Sequence, residues 1–146
     1  MASAEAREQM LRMFNEQASI ARTFGMRLAY TDDDRALLTL PYNPALDHAQ
    51  GAIHGGVYAT MLDNAGWFTA VLAQEPLCWV ATSELSMHLF EAVRGRELRA
   101  EGRLLKRGTR QHVAAMELHD DEGRMVAHAT GTFVVLRGVG FDERRG

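Results

Sequence analysis

Hydrophobic and polar positions change rhythm several times along this chain. In residues 4–14 (AEAREQMLRMF), Met10, Leu11 and Phe14 fall on one side at helical spacing, which predicts a helix. A second short helix is predicted over Ala18–Phe24, stopped by Gly25. Met26–Tyr30 and Ala36–Leu40 read as two strands, joined by TDDD, a turn of residues that bond their own backbone. Pro41, Asn43 and Pro44 begin a long loop that runs to about Ile53. His54–Gln74 is apolar nearly all round, which marks a helix buried on most sides. Glu75-Pro76 ends it. Four strand-like runs follow, roughly Leu77–Phe90, Glu97–Lys106, Gln111–His119 and Met125–Arg137. Arg94-Gly95, Gly108 and Asp120–Gly123 punctuate them. Strands joined by tight turns predict an antiparallel sheet, and one buried helix against it predicts an α+β fold in which the sheet wraps the helix.

Composition narrows the class. The 146 residues, 47% hydrophobic and 24% charged, suit one globular domain over 1–146, with no repeat or linker. No apolar run reaches the roughly 20 residues of a membrane helix. The first residues lack an apolar signal core, so a cytoplasmic protein is expected. The single cysteine, Cys78, allows no internal disulfide and no multi-cysteine zinc site. The net charge of −3 argues against nucleic acid as a partner. Its distribution is uneven. Between Arg35 and Arg94 there is no Lys or Arg, whereas Arg94–Arg110 holds seven basic residues.

Candidate chemistry sits in the cation-free middle. Gly55 and Gly56 open the predicted helix, where the first N–H groups lack intrahelical partners and the dipole is positive. Such donors suit a carbonyl oxygen that gains negative charge. Asp63 lies two turns on, among Ala59, Thr60, Trp67 and Phe68, with no basic residue on the helix to pair with it. An acid so placed costs energy or shifts its pKa upward, which is a mark of function. The two features are eight residues apart, about 12 Å along a helix. A single reacting carbonyl sits about 3 Å from both donor and attacker. Either the features are unrelated, or one chain's helix start meets another chain's Asp63 in a dimer.

The segment Gly51-Ala-Ile-His54-Gly55-Gly56, with an acid nine positions after the His, resembles the hotdog-fold acyl-CoA thioesterases. Within that family it looks like the phenylacetate-pathway, PaaI-like branch. The likeness extends to the element order, the GRLLKRGTRQ turn and DDEGRMVAHATGTFVVL. It implies a hotdog fold whose active sites form in a homodimer, with homotetramers common, and a hydrolysis that needs no cofactor because coenzyme A is part of the substrate. By position it implies that the Gly55 N–H holds the thioester carbonyl. Asp63 of a second copy is then nucleophile or general base, Thr82 orients the water or the Asp, and His54 orders the loop and contacts the thioester. Gly56 and the loop residues His48 and Gln50 become substrate-binding positions. His48 departs from the family, which carries Asn or Gln there. Arg107 and Arg110, flanking Gly108, are candidates for the phosphates of coenzyme A.

The acyl group is open: Trp67, Phe68, Tyr58 and Met61 fit an aryl- or medium-chain pocket and simple core packing equally well. His88, His112, His119 and His128 are read as surface or satisfied core residues. His48 and His54 lack zinc-type spacing, so no metal is expected. No G-x-S-x-G elbow supports a serine triad, and no P-loop supports nucleotide hydrolysis. Two rivals remain, a hotdog enoyl-CoA hydratase or dehydratase and a non-catalytic acyl-CoA-binding protein.

Overall fold

The long buried helix and the strand runs organise everything else. A computed structural model describes residues 1–141. Helices α1 (Ala4–Arg12) and α2 (Ser19–Phe24) are joined by a π-helical turn, Met13–Gln17. Strands β1 (Arg27–Tyr30) and β2 (Ala36–Leu40) lead, through a 3-10 turn at Pro44–Leu46, to helix α3 (Gly55–Val71). Strands β3 (Val80–Leu89), β4 (Leu98–Arg107), β5 (Gln111–Asp120) and β6 (Met125–Val135) complete the chain. No helix among the described residues is long and apolar enough to cross a membrane.

All six strands form one antiparallel sheet, ordered β1-β2-β4-β5-β6-β3. Helix α3 lies against β2 through β6, the wrap predicted from the sequence. The strands alternate as a half-buried sheet must: Leu98, Ala100 and Gly102 of β4, and Ala114, Met116 and Leu118 of β5, turn towards the helix. Two glycines make the close approach. A Cβ at Gly102 would stand 2.3 Å from Ala65 O, and one at Gly66 would stand 2.5 Å from Phe133 Cζ. The other side of α3 meets the N-terminal segment, where Phe14 packs edge-on against Phe68 at 5.1 Å.

Three boundaries differ from the sequence reading by three residues, and the others by no more than two. The first helix continues as the π turn instead of ending at residue 14. The long helix stops at Val71, because Gln74 turns away to meet His112 (3.1 Å). The third strand begins at Val80 rather than Leu77, since Trp79 pairs its backbone with Leu136 and Val139 beyond β6.

Candidate active site

The loop before α3 is a set of short closures. Asp47 bridges Ile53, the His48 N–H bonds Ala52 O (2.8 Å), and the Gly51 N–H bonds His48 O (2.9 Å). Gly51 takes φ +77, a conformation that favours glycine. His48 turns its Nδ1 onto the N–H of Gln50 (3.1 Å), while Arg94 donates to the Gln50 carbonyl. His48 and Gln50 thus brace their own loop, and both side chains are exposed.

The loop delivers His54 as the N-cap of α3. Its Nδ1 accepts the Gly56 N–H at 2.8 Å. An imidazole that accepts at Nδ1 carries its neutral-form proton on Nε2. The N–H of Gly56, read from sequence as an open donor, is therefore taken. Gly56 is needed for another reason: a Cβ there would stand 2.9 Å from His54 Nδ1. The donor that remains is the Gly55 N–H, which meets no acceptor among the described residues. Leu89 packs across it, its Cδ1 3.2 Å from where a Gly55 Cβ would be.

Asp63 is built in the opposite style. It is half-buried, two turns into α3, and its Oδ1 accepts a 2.7 Å hydrogen bond from Thr82 Oγ1. No cation stands within ion-pair distance among the described residues. Burial pushes the carboxyl above the usual carboxylate range, and the Thr82 hydroxyl pulls it part of the way back.

A β-bulge puts Thr82 there. Thr82 pairs with Phe133 and Glu84 with Thr132, so Ser83 is an extra residue. Val80 and Thr82 before it face α3, and Leu85, Met87 and Leu89 after it do so too, although the two sets differ in parity. An uninterrupted strand would turn one set outward.

Asp63 opens onto a cleft of about 500 Å³ between α3 and the N-terminal segment. Trp67, Phe68, Phe14 and Trp79 make its walls mainly apolar. The Trp67 indole is pinned by donating to Val80 O (2.6 Å) and meets Trp79 edge-on at 4.9 Å. The Gly55 end of the helix faces a different depression, shared with Phe24, Leu46, Asp47 and Val57. Of the apolar candidates, Trp67 and Phe68 reach the cleft, whereas Tyr58 and Met61 are core. Sequence reasoning missed Trp79, Ile20 and Phe141, which reach the cleft from three distant segments.

The basic stretch divides. Arg96 pairs with Asp121 and Glu122, and Arg99 with Glu97. Arg107 and Arg110 are exposed and make no ion pair among the described residues. Arg107 shares a row with Thr82 through His112 and Phe133, so three strand spacings, roughly 14 Å, separate it from Thr82. Within one chain the structure does not bring Arg107 to Asp63. His112 is a satisfied core residue: its Nδ1 accepts the Gly108 N–H at 3.3 Å, and its Nε2 meets Gln74 Oε1.

The family model described as Thioesterase superfamily matches residues 50–127, just over half of the chain, and takes in the loop from Gln50 onward, Asp63 and Thr82. The chain belongs to the thioesterase superfamily. The medium/long-chain acyl-CoA thioesterase YigI of Escherichia coli is 28% identical, over 92% of this chain and 99% of its own. A thioesterase family protein from Silicibacter pomeroyi superposes with a TM-score of 0.83 at 26% identity, over 90% and 99% of the two chains. The Escherichia coli PaaI protein of the phenylacetic acid degradation operon shares the fold at TM-score 0.81 and 16% identity, over 94% and 99%. This thioesterase therefore has the hotdog architecture, and its class of reaction is thioester hydrolysis. The family match leaves out the N-terminal helices, β1 and β2, and with them one wall of the Asp63 cleft.

Proposed function

We propose that this thioesterase hydrolyses an aryl- or medium-chain acyl-CoA at a site made by two copies of the chain, Asp63 from one and Gly55 from the other. The observation that carries this reading is Asp63 itself. It is a carboxylate half-buried in an apolar cleft, answered by one hydroxyl and, among the described residues, by no cation. Natural proteins rarely keep such a group without using it. The Gly55 N–H, on a helix start eight residues away whose neighbours His54 and Gly56 line a different depression, has the chemistry of an oxyanion donor. One straight helix holds the two about 12 Å apart, so the two-copy site unites what one chain separates.

A further support is the edge of the sheet. β3 is terminal, the exposed Leu89 at its end lies beside Gly55, and the exposed Phe90 follows it. Two β3 edges paired about a two-fold axis cover those side chains and carry each Gly55 towards the other copy's Asp63.

In the reaction, the Gly55 N–H polarises the thioester carbonyl. Asp63 attacks the carbonyl carbon itself, forming a mixed anhydride that water then hydrolyses, or takes a proton from the water that attacks, and both routes need the carboxylate. Thr82 holds the carboxylate in place. The thiolate of coenzyme A leaves without a strong general acid, because a thiol of this kind has a pKa of about 8.5. The free acid and coenzyme A are the products. A hydratase would need a histidine beside the acid, and the His54 ring is committed at Nδ1 to Gly56.

Subunit mixing tests the reading. Asp63→Asn and Gly55→Pro are each expected to be inactive alone. Copies unfolded and refolded together recover roughly a quarter of the wild-type sites, because half the dimers are mixed and each mixed dimer has one intact site. No recovery, with both variants folded and dimeric, refutes the shared site. Full turnover by Asp63→Asn refutes the chemistry.

A further inference from the structure

We infer that the cleft beside Asp63 is the acyl subsite, that it takes an apolar acyl group of medium length, and that Trp67, Trp79 and Ile20 set that length. This rests on the reading of Asp63 as the group that acts on the thioester carbon. The carbonyl must then sit at one end of the cleft, and the acyl group has an apolar path along α3. Trp67 is four residues beyond Asp63, about 6 Å along the helix axis, so it faces the carbons a short way past the carbonyl. Its ring cannot swing aside easily, since its N–H is bonded to Val80 O and it packs in edge contacts with Phe68 and Trp79, at 4.7 and 4.9 Å. Across from it stand Ile20 at the start of α2 and Phe14 on the π-helical turn.

The path also has an end. Near Met13, Gln17 and Phe141 the cleft gives way to a second depression, lined by Glu5, Gln9 and Arg12. A chain long enough to emerge there leaves apolar walls for charged ones and gains nothing more from burial. The optimum is therefore a medium chain, with acetyl too short to touch Trp67 and palmitoyl too long for the cleft. Ile20 and Phe14 on the N-terminal wall lie outside the family match, whereas Trp67 and Trp79 lie inside it, so both parts of the chain contribute to the length limit.

Ile20 is 45% exposed on the outside of a short helix, so a larger side chain there narrows the cleft without disturbing the core. Wild type is expected to hydrolyse octanoyl-CoA with a kcat/KM at least ten-fold above those of acetyl-CoA and palmitoyl-CoA, since each buried methylene contributes roughly four-fold. Ile20→Trp lowers kcat/KM for octanoyl-CoA by roughly ten-fold more than for acetyl-CoA, which removes the octanoyl advantage. A binding arm uses the Asp63→Asn protein and calorimetry. Octanoyl-CoA binds at least ten-fold tighter than acetyl-CoA, and adding Ile20→Trp abolishes the difference. Equal treatment of acetyl and octanoyl, or a profile that Ile20→Trp leaves intact, overturns the acyl subsite. If the binding preference appears but the wild type hydrolyses none of the three, the acyl subsite stands and the hydrolytic reading of Asp63 fails.

Discussion

The start of α3 and its middle carry groups of opposite character, and each is kept by the means the other lacks. At the start, the Gly55 N–H needs no side chain. The helix leaves it unpaired, His54 occupies its neighbour, and the position is open enough for a substrate to approach. In the middle, Asp63 is a charge-bearing group that the fold would rather not contain, held under apolar walls by one hydroxyl from a bulged edge strand. Donors of an oxyanion hole come without cost from backbone geometry. A carboxylate with a raised pKa costs stability, and the fold must hold it by a specific contact. The contrast predicts that changes at Asp63 trade activity against stability, whereas changes at Gly55 touch activity alone.

The largest effect is expected at Asp63. Asp63→Asn keeps the shape and the bond from Thr82 but removes the base or nucleophile, and kcat/KM should fall by about 10³ or more. Stability should move the other way. The folded pKa of Asp63 is raised by burial. Its favourable contribution is therefore complete below the unfolded carboxylate pKa and is lost as pH rises through the folded value. The Asn variant should melt above wild type at neutral pH, and the gap should close in acid. An inactive variant that also melts lower would show that Asp63 is structural.

Gly55 comes next. Proline suits the first helical position, and His54 already has the extended backbone (φ −61, ψ 137) that a following proline requires. Gly55→Pro deletes the N–H and adds a Cβ that Leu89 must accommodate by a small shift, so kcat/KM should drop by about 10²–10³ with little change in melting temperature. Gly55→Ala keeps the donor and asks only that the flexible end of Leu89 move by a few tenths of an ångström. It should lose less than roughly ten-fold by the same reasoning. Equal losses in the two variants would assign the position to packing instead of hydrogen bonding.

Thr82 sharpens the comparison by a smaller step. Its bond lowers the Asp63 pKa against the effect of burial. Thr82→Val should therefore raise that pKa further. Activity needs the ionised form, so the acid limb of the kcat/KM profile, already above the ordinary carboxylate range, should move to still higher pH. At the plateau the loss should be roughly ten-fold, the worth of about one hydrogen bond to a charged group. Thr82→Ser should restore the wild-type limb. A limb that stays in place would mean that Thr82 does not touch the titrating group.

How much of this was legible depended on whether a feature was local. Helix and strand periods were readable, as were the two chemical features of α3, because each lies within one or two turns of chain. Gly102 and Gly66 were not marked as contact points, since nothing in a lone glycine says which element will approach. The Thr82–Asp63 contact spans 19 residues and came from family resemblance, not from spacing. The bulge at Ser83 did leave a trace. The alternation Leu85, Met87, Leu89 is one residue out of phase with Val80 and Thr82, and a phase slip inside one strand is what a bulge looks like in sequence. The cleft left only part of one, in Trp67 and Phe68. Ile20, Trp67, Trp79 and Phe141 meet only after the N-terminal helices fold back across α3. His54 was read for chemistry and not for capping, because Ser, Thr, Asp and Asn dominate that position. An imidazole nitrogen does the same work with a free lone pair.

That capping role yields the smallest expected effect. If the Gly55 end owes its order to His54, then disturbing the cap should weaken the helix start while sparing the acid two turns away. A methyl group at residue 56 would stand 2.9 Å from His54 Nδ1 and 3.2 Å from Cε1, so Gly56→Ala must swing the ring off its acceptor position. The cost should be that of a lost N-cap, about 0.5–2 kcal/mol in denaturant unfolding. The Asp63-dependent acid limb should not move, because the carboxylate's surroundings are unchanged. His54→Asn offers the control: asparagine can accept the same N–H, and it should recover most of the stability. If it does so without recovering turnover, the His54 ring touches the substrate through its remaining nitrogen. If both return together, the cap is the whole of its role.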